Sequence, residues 1–107
     1  MTEYVQVITT TNTEEEARKI QRILVEERAA ACVQIIGPIS SLYWWEGKIE
    51  EAREWICLAK AKSEDYHRIE SLIKENHPYE VPEIVALPIV AGSAEYLAWA
   101  GRETTAS

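Results

Sequence analysis

Between Ala31 and Lys62 the chain carries two long runs rich in β-branched, aromatic and aliphatic residues, joined by Glu46-Gly47. Two residues ending in glycine suit the mirror-image turn of a tight hairpin, which places the backbone at positive φ. The return leg, Lys48 to Lys62, contains no Gly or Pro to interrupt it. Extended at ~3.3 Å per residue it reaches about 50 Å, whereas a compact domain of this length is only ~35 Å across. The hairpin must therefore bend or overhang its own domain. An overhanging tip carrying Tyr43, Trp44 and Trp45 exposes aromatic surface that a soluble monomer seldom leaves bare, so another subunit is the simplest cover. Trp55 on the return leg belongs to the same candidate interface set.

A helix also fits that leg. Ile49, Ala52, Trp55 or Ile56 and Ala59 recur at three-to-four spacing, and the Glu, Ala, Arg and Lys content is helix-friendly. As a strand, Trp55, Cys57, Ala59 and Ala61 share one face, with Ile56, Leu58, Lys60 and Lys62 on the other. Periodicity leaves both readings standing; the turn at Glu46-Gly47 favours the strand, because it gives the incoming aromatics a pairing partner. Pairing Trp45 with Lys48 then sets Cys32 opposite Ala61 and Cys57 opposite Ile36, too far apart for a disulfide, and both cysteines are read as reduced and packed.

With 107 residues and 47% apolar content, the chain (1–107) makes one domain with room for one core. A net charge of -7 argues against nucleic acid or an anionic membrane as partner, since both call for clustered Lys and Arg. No basic segment followed by an apolar stretch opens the sequence, and its apolar runs fall short of the ~20 residues of a membrane span, so a cytoplasmic protein is expected.

In chain order, Glu3 to Thr10 alternates as a strand, expected to be central. Thr13 with Glu16 three residues on matches a capping box, opening a helix that ends near Arg28 to Ala30, with Ala17, Ile20, Ile23 and Leu24 inward and Glu14 to Arg18 paired outside. Ser63 is placed to cap a second helix with Tyr66, Ile69, Leu72 and Ile73 inward, stopped by Pro78 near Asn76. Val81 to Val90 reads as a strand restricted at both ends by Pro82 and Pro88, and Gly92-Ser93 opens a short last helix that Gly101 ends. A βαββαβ order gives an antiparallel sheet with two helices on one face, the ferredoxin-like plan, here with a long hairpin between the second and third strands and a short C-terminal helix. The bare face and the hairpin tip both ask for an oligomer.

AACVQIIGPISSLYWWEGKIEE and NHPYEVPEIVALPIVAGSAEYLAW, at these spacings, closely resemble the CutA family of divalent-cation tolerance proteins, over almost the whole chain. The resemblance implies a ferredoxin-like α+β subunit with 48–62 as a strand, a homotrimer whose sheets meet around a threefold axis, and a role in tolerance to metals such as copper. The metal site proposed for the family uses a Cys at the end of the first strand and two consecutive His before Pro-Tyr; here those positions are Thr9, Asn76 and His77. Only His77 retains a donor of that kind, and one imidazole holds copper or zinc poorly, since affinity comes from several converging N or S donors. Glu80 in the same loop is a candidate carboxylate ligand. His77 fits the role of finishing the second helix near its carbonyl end better than it fits metal binding.

Tyr43, Trp44 and Trp45 suit interface packing over a ligand pocket. Pro78, Tyr79 and Pro82 stiffen the His77-to-Pro82 loop, the best candidate for a functional surface bordering a cleft. Lys60, Lys62 and Arg53 are either solvated edge charges or an anion site where subunits meet. No nucleophile elbow, phosphate loop, dinucleotide loop or H-E-x-x-H pattern is present, so a non-enzyme is expected. Three roles remain: a metal-binding tolerance trimer; a regulatory trimer of the PII-like kind holding a small anion or nucleotide; and a scaffold without ligand.

Overall fold

The computed structural model describes residues 3–104, and in it the hairpin is a two-stranded antiparallel ribbon. β2 (Cys32–Trp45) and β3 (Lys48–Lys62) are both strands throughout, which excludes the helical reading of the return leg. Glu46 and Gly47 lie at φ 50° and 80°, the paired positive values that a mirror-image two-residue turn requires. The register runs from Trp45↔Lys48 to Ile39↔Glu54 and then slips by one, so that Ile36 faces Ile56, Ile35 faces Cys57 and Cys32 faces Lys60. The expected pairings Cys32 with Ala61 and Cys57 with Ile36 are thus each displaced by one residue. The cause is a bulge at Gly37 and Pro38, whose peptide bond is cis, set against Trp55. Proline has no N–H for the ladder, and a Cβ on Gly37 would come 2.6 Å from Trp55 Cγ, so the indole occupies the space that any other residue would fill. The cysteines remain free thiols. The ribbon is the longest feature of a molecule 44 Å in its greatest extent.

Around the ribbon stand β1 (Tyr4–Thr11), α1 (Glu14–Glu26), α2 (Tyr66–Asn76), β4 (Ile84–Pro88) and α3 (Ala94–Glu103). The sheet order is β2-β3-β1-β4, with every neighbouring pair antiparallel, so β1 is an interior strand as its alternation suggests. One face buries Val5, Val7, Val33, Cys57, Ala59 and Ala61 against Ala17, Ile20 and Leu24 of α1 and Ile69 and Ile73 of α2. The small residues of β3 let the helices sit close to the sheet. Thr13 Oγ1 accepts the Glu16 N–H at 3.1 Å, fixing where α1 begins.

Three boundaries differ from the sequence expectation. Ser63 does not cap α2: its N–H donates to Glu3 O at 2.8 Å, extending the sheet, and a 3-10 turn Ser63–Asp65 intervenes. β4 is shorter than 81–90: its ladder with β1 runs from Thr9↔Ile84 to Val5↔Pro88, and the next β1 carbonyl, that of Thr10, meets His77. Gly101 does not end α3. An added Cβ there would lie 2.8 Å from the Tyr4 hydroxyl, so this glycine serves close packing of α3 on the sheet's other face. That second face is mostly bare, with Ile36 51% and Leu87 49% exposed. No helix among the described residues is long and apolar enough to cross a membrane.

Candidate functional site

The distal half of the ribbon, the end of β1 and residues Tyr79, Glu80, Val81 and Glu83 of the segment after α2 border a groove of about 870 Å³. The β2–β3 register sets Leu42, Tyr43, Trp44 and Trp45 beside Glu50, Glu51 and Glu54, while Tyr79, Glu80, Val81 and Glu83 form the opposite wall. Among the described residues five carboxylates line it, and neither Lys nor Arg does. Such a lining concentrates negative potential beside indole and phenol rings, a combination that attracts cations and repels anions. Among the described residues no three His, Cys, Asp or Glu side chains converge to hold a metal ion.

The 77–83 wall is held by a continuous chain of hydrogen bonds. His77, the C-cap of α2, meets the Thr10 carbonyl through Nε2 at 2.7 Å, and its Nδ1 accepts the Tyr79 N–H at 3.1 Å. A backbone N–H only donates, so Nδ1 is unprotonated and Nε2 carries the hydrogen. Burial holds the His77 pKa below its usual value, against the Thr10 carbonyl, Glu16 and Glu54, which favour the cation. The two rings of His77 and Tyr79 tilt against each other with centroids 4.7 Å apart. The Tyr79 hydroxyl then donates to Glu54 Oε2 at 2.6 Å. Glu54 is 5% exposed, and burial together with this bond raises the Tyr79 pKa.

The structure does not assemble the three positions Thr9, Asn76 and His77 into a donor set. Thr9 is 1% exposed among core residues, and its Oγ1 has no hydrogen-bond partner. Asn76 turns its amide back to Leu72 O at 2.8 Å. Both nitrogens of His77 are engaged with backbone, so the ring acts as a bridge and offers no lone pair to a cation. Glu80 faces the groove beside Tyr79, whereas Pro78 does not line it. Tyr43, Trp44 and Trp45 line the groove and Trp55 does not: it packs against the core and over Gly37, with the Arg53 guanidinium 5.9 Å from its ring centroid. Lys60 donates to Gln34 Oε1, across the β2–β3 ribbon. Glu50, Glu51, Glu54 and Glu83 escaped sequence reasoning, because a Glu-rich strand reads as a solvated edge. The available signal was Glu54, which alternation puts on the face of Ile56 and Leu58.

A four-stranded antiparallel α+β chain with an overlong hairpin and an acidic, aromatic groove along the hairpin's distal half is the class these features define. Residues 5–103 match the CutA1 divalent ion tolerance protein family, and the chain belongs to it. It is 46% identical over 99 residues to the divalent-cation tolerance protein CutA of Thermus thermophilus, covering 92% of this chain and 95% of that one. The solved structure from that organism superimposes with a TM-score of 0.93, at 43% identity, over 95% of this chain and 99% of that one. A CutA homolog of Danio rerio is 41% identical over 95 residues, 89% of this chain, which spans only 63% of the fish protein. The structure of a periplasmic divalent cation tolerance protein CutA from Archaeoglobus fulgidus matches with a TM-score of 0.91 at 39% identity, over 94% of this chain and 97% of that one.

Proposed function

We propose that this protein acts in tolerance to divalent cations as a cytoplasmic homotrimer of the ferredoxin-like plan, with a cation-binding groove that neighbouring subunits complete. The lining of the groove carries this reading: five carboxylates and no cationic side chain. A groove of this charge also disfavours the anion- or nucleotide-binding alternative. Glu50, Glu51, Glu80 and Glu83 are the proposed oxygen donors, a set suited to a divalent cation held through carboxylates more than to copper or zinc in a nitrogen–sulfur cage. Among the described residues three donors do not converge, and in this reading a neighbour's groups complete the set.

Association is supported by the apolar surface left bare. Leu42 and Trp44 at the ribbon tip are each 70% exposed, and the open sheet face adds Ile36, Val85 and Leu87. The element order βαββαβ with strand order β2-β3-β1-β4 supports the ferredoxin-like plan. Two free cysteines suit a reducing compartment, although the Archaeoglobus fulgidus relative is described as periplasmic. The role read here is binding, carried by the carboxylate lining.

The test is calorimetric titration of metal-stripped protein with manganese, zinc and copper, alongside its mass by analytical ultracentrifugation. Saturable binding by a trimer, weakened at least tenfold in the double variant Glu80→Gln with Glu83→Gln, is expected. A monomer at micromolar concentration, or binding unaltered by those changes, overturns the reading.

A further inference from the structure

We infer that His77 is the pin of a proton-operated latch, which holds the 77–83 wall of the groove closed while the imidazole is neutral and releases it when the ring becomes imidazolium. The neutral ring does two opposite things at once. It donates from Nε2 to Thr10 O at 2.7 Å, tying α2 to β1, and it accepts at Nδ1 from the Tyr79 N–H at 3.1 Å, tying down the wall. Only the Nε2–H tautomer does both. A proton on Nδ1 turns the acceptor into a donor that faces another donor, and the Tyr79 amide loses its partner.

The release is local. The tie to β1 survives, because Nε2 still donates, and the Tyr79 hydroxyl still reaches Glu54 on β3. What is lost is the backbone bond that sets the angle at which the wall leaves α2. Pro78 and Pro82 fix φ at either end of the short segment, so the change is passed to Glu80 and Val81 in place of being absorbed between them. Both residues line the groove, and opening the latch widens it.

The charged groups acting on the ring set when this happens. Glu16 comes from α1 and Glu54 from β3; β1 contributes the Thr10 carbonyl, and the segment itself contributes Tyr79. The two carboxylates and the carbonyl favour imidazolium, but burial is the larger effect and keeps the ring neutral to lower pH than a free histidine. An unfolded chain takes up this proton near pH ~6.5, whereas the folded protein does so at lower pH. Between those values the unfolded state binds more protons. Stability from the latch is therefore complete above about pH 6.5 and is lost as pH falls through the folded value. The device depends neither on what the groove binds nor on how many subunits form it.

The test uses the full chain, 15N-labelled, with no metal added. The His77 ring nitrogens and the exchange of the Tyr79 amide are followed by NMR from pH 8 to pH 5. The Nε2–H tautomer is expected at pH 8. As His77 titrates, protection of the Tyr79 amide, corrected for the intrinsic exchange rate, falls about tenfold, the loss of one hydrogen bond, while Val7 and Ala59 in the sheet keep theirs. In His77→Gln, which retains an amide donor for Thr10 and has nothing to titrate, no step appears. An Nδ1–H tautomer at pH 8, or constant Tyr79 protection through the wild-type titration, overturns the inference whether or not the variant folds. The same step in a folded His77→Gln protein overturns it too.

Discussion

The Tyr79 hydroxyl donates to the Glu54 carboxylate across 2.6 Å, joining the loop after α2 to the middle of β3 over a separation of 25 residues. Glu54 is almost wholly buried and Tyr79 is half-buried, so neither exchanges the bond for water without cost. Hydrogen bonds to charged groups contribute about 1.5–3 kcal/mol, and a buried carboxylate stripped of its donor also suffers desolvation. Tyr79→Phe is therefore expected to lower unfolding stability by about 2 kcal/mol. Glu54→Gln, which retains an acceptor, should lose less. Urea midpoints at fixed protein concentration check this, and equal midpoints for Tyr79→Phe and wild type would refute it.

The bulge makes a second demand. Trp55 fills the space beside Gly37 so fully that a Cβ there would stand 2.6 Å from its Cγ. Gly37→Ala must displace the indole or flatten the bulge, and overpacking of this kind costs roughly 1–3 kcal/mol. The near-ultraviolet circular dichroism of the tryptophans should change with it. Gly47→Ala is the contrast: nothing lies within 4 Å of its added Cβ, but its φ of 80° makes that substitution a matter of backbone strain alone.

Local features were legible in the sequence, and features closed across space were not. The turn at Glu46-Gly47, the Thr13 cap and the two faces of β3 each follow from residues a few positions apart. Gly37-Pro38 interrupts the apolar run in the sequence, but whether such a pair ends a strand or adds one residue to it depends on Trp55 across the ladder. Ser63 has the side chain of a helix cap; Glu3, sixty residues away, claims its backbone instead. The groove shows the same division. His77, Tyr79 and Glu80 stand in a conspicuous stiff loop, whereas Glu54 gains its role only when the register places it under the Tyr79 hydroxyl. Trp55, grouped with the tip aromatics by residue type, is drawn into the core by the glycine opposite.

Thr9 carries a hydroxyl with no partner inside the core. Thr9→Val removes that unsatisfied group at nearly constant volume, and a gain of about 1 kcal/mol is expected. Thr11 provides the control on the same strand, since its Oγ1 donates to Thr13 O at 2.7 Å and Thr11→Val should destabilise by a similar amount. Opposite signs in parallel urea titrations are the predicted result; a loss in both variants would show that the Thr9 hydroxyl has a partner after all.

Burial pushes the Cys57 thiol from 9.0 up to about 11, while its S–H lies 3.6 Å from Ala17 O. Because the folded value is the higher one, the folded state holds its proton where the unfolded chain has lost it. The stability this contributes is complete below about pH 9 and is lost as pH rises towards 11. At pH 8 so little thiolate exists that Cys57 should react with a disulfide reagent on the order of a hundredfold more slowly than an ordinary thiol, even before access is considered. Cys32, only half-buried at the start of β2, is expected to react first. Native protein titrated with Ellman's reagent at pH 8 should thus show one fast thiol per chain, and denatured protein two; two fast thiols in the native state would mean that the sheet beneath α1 opens far more readily than its packing suggests.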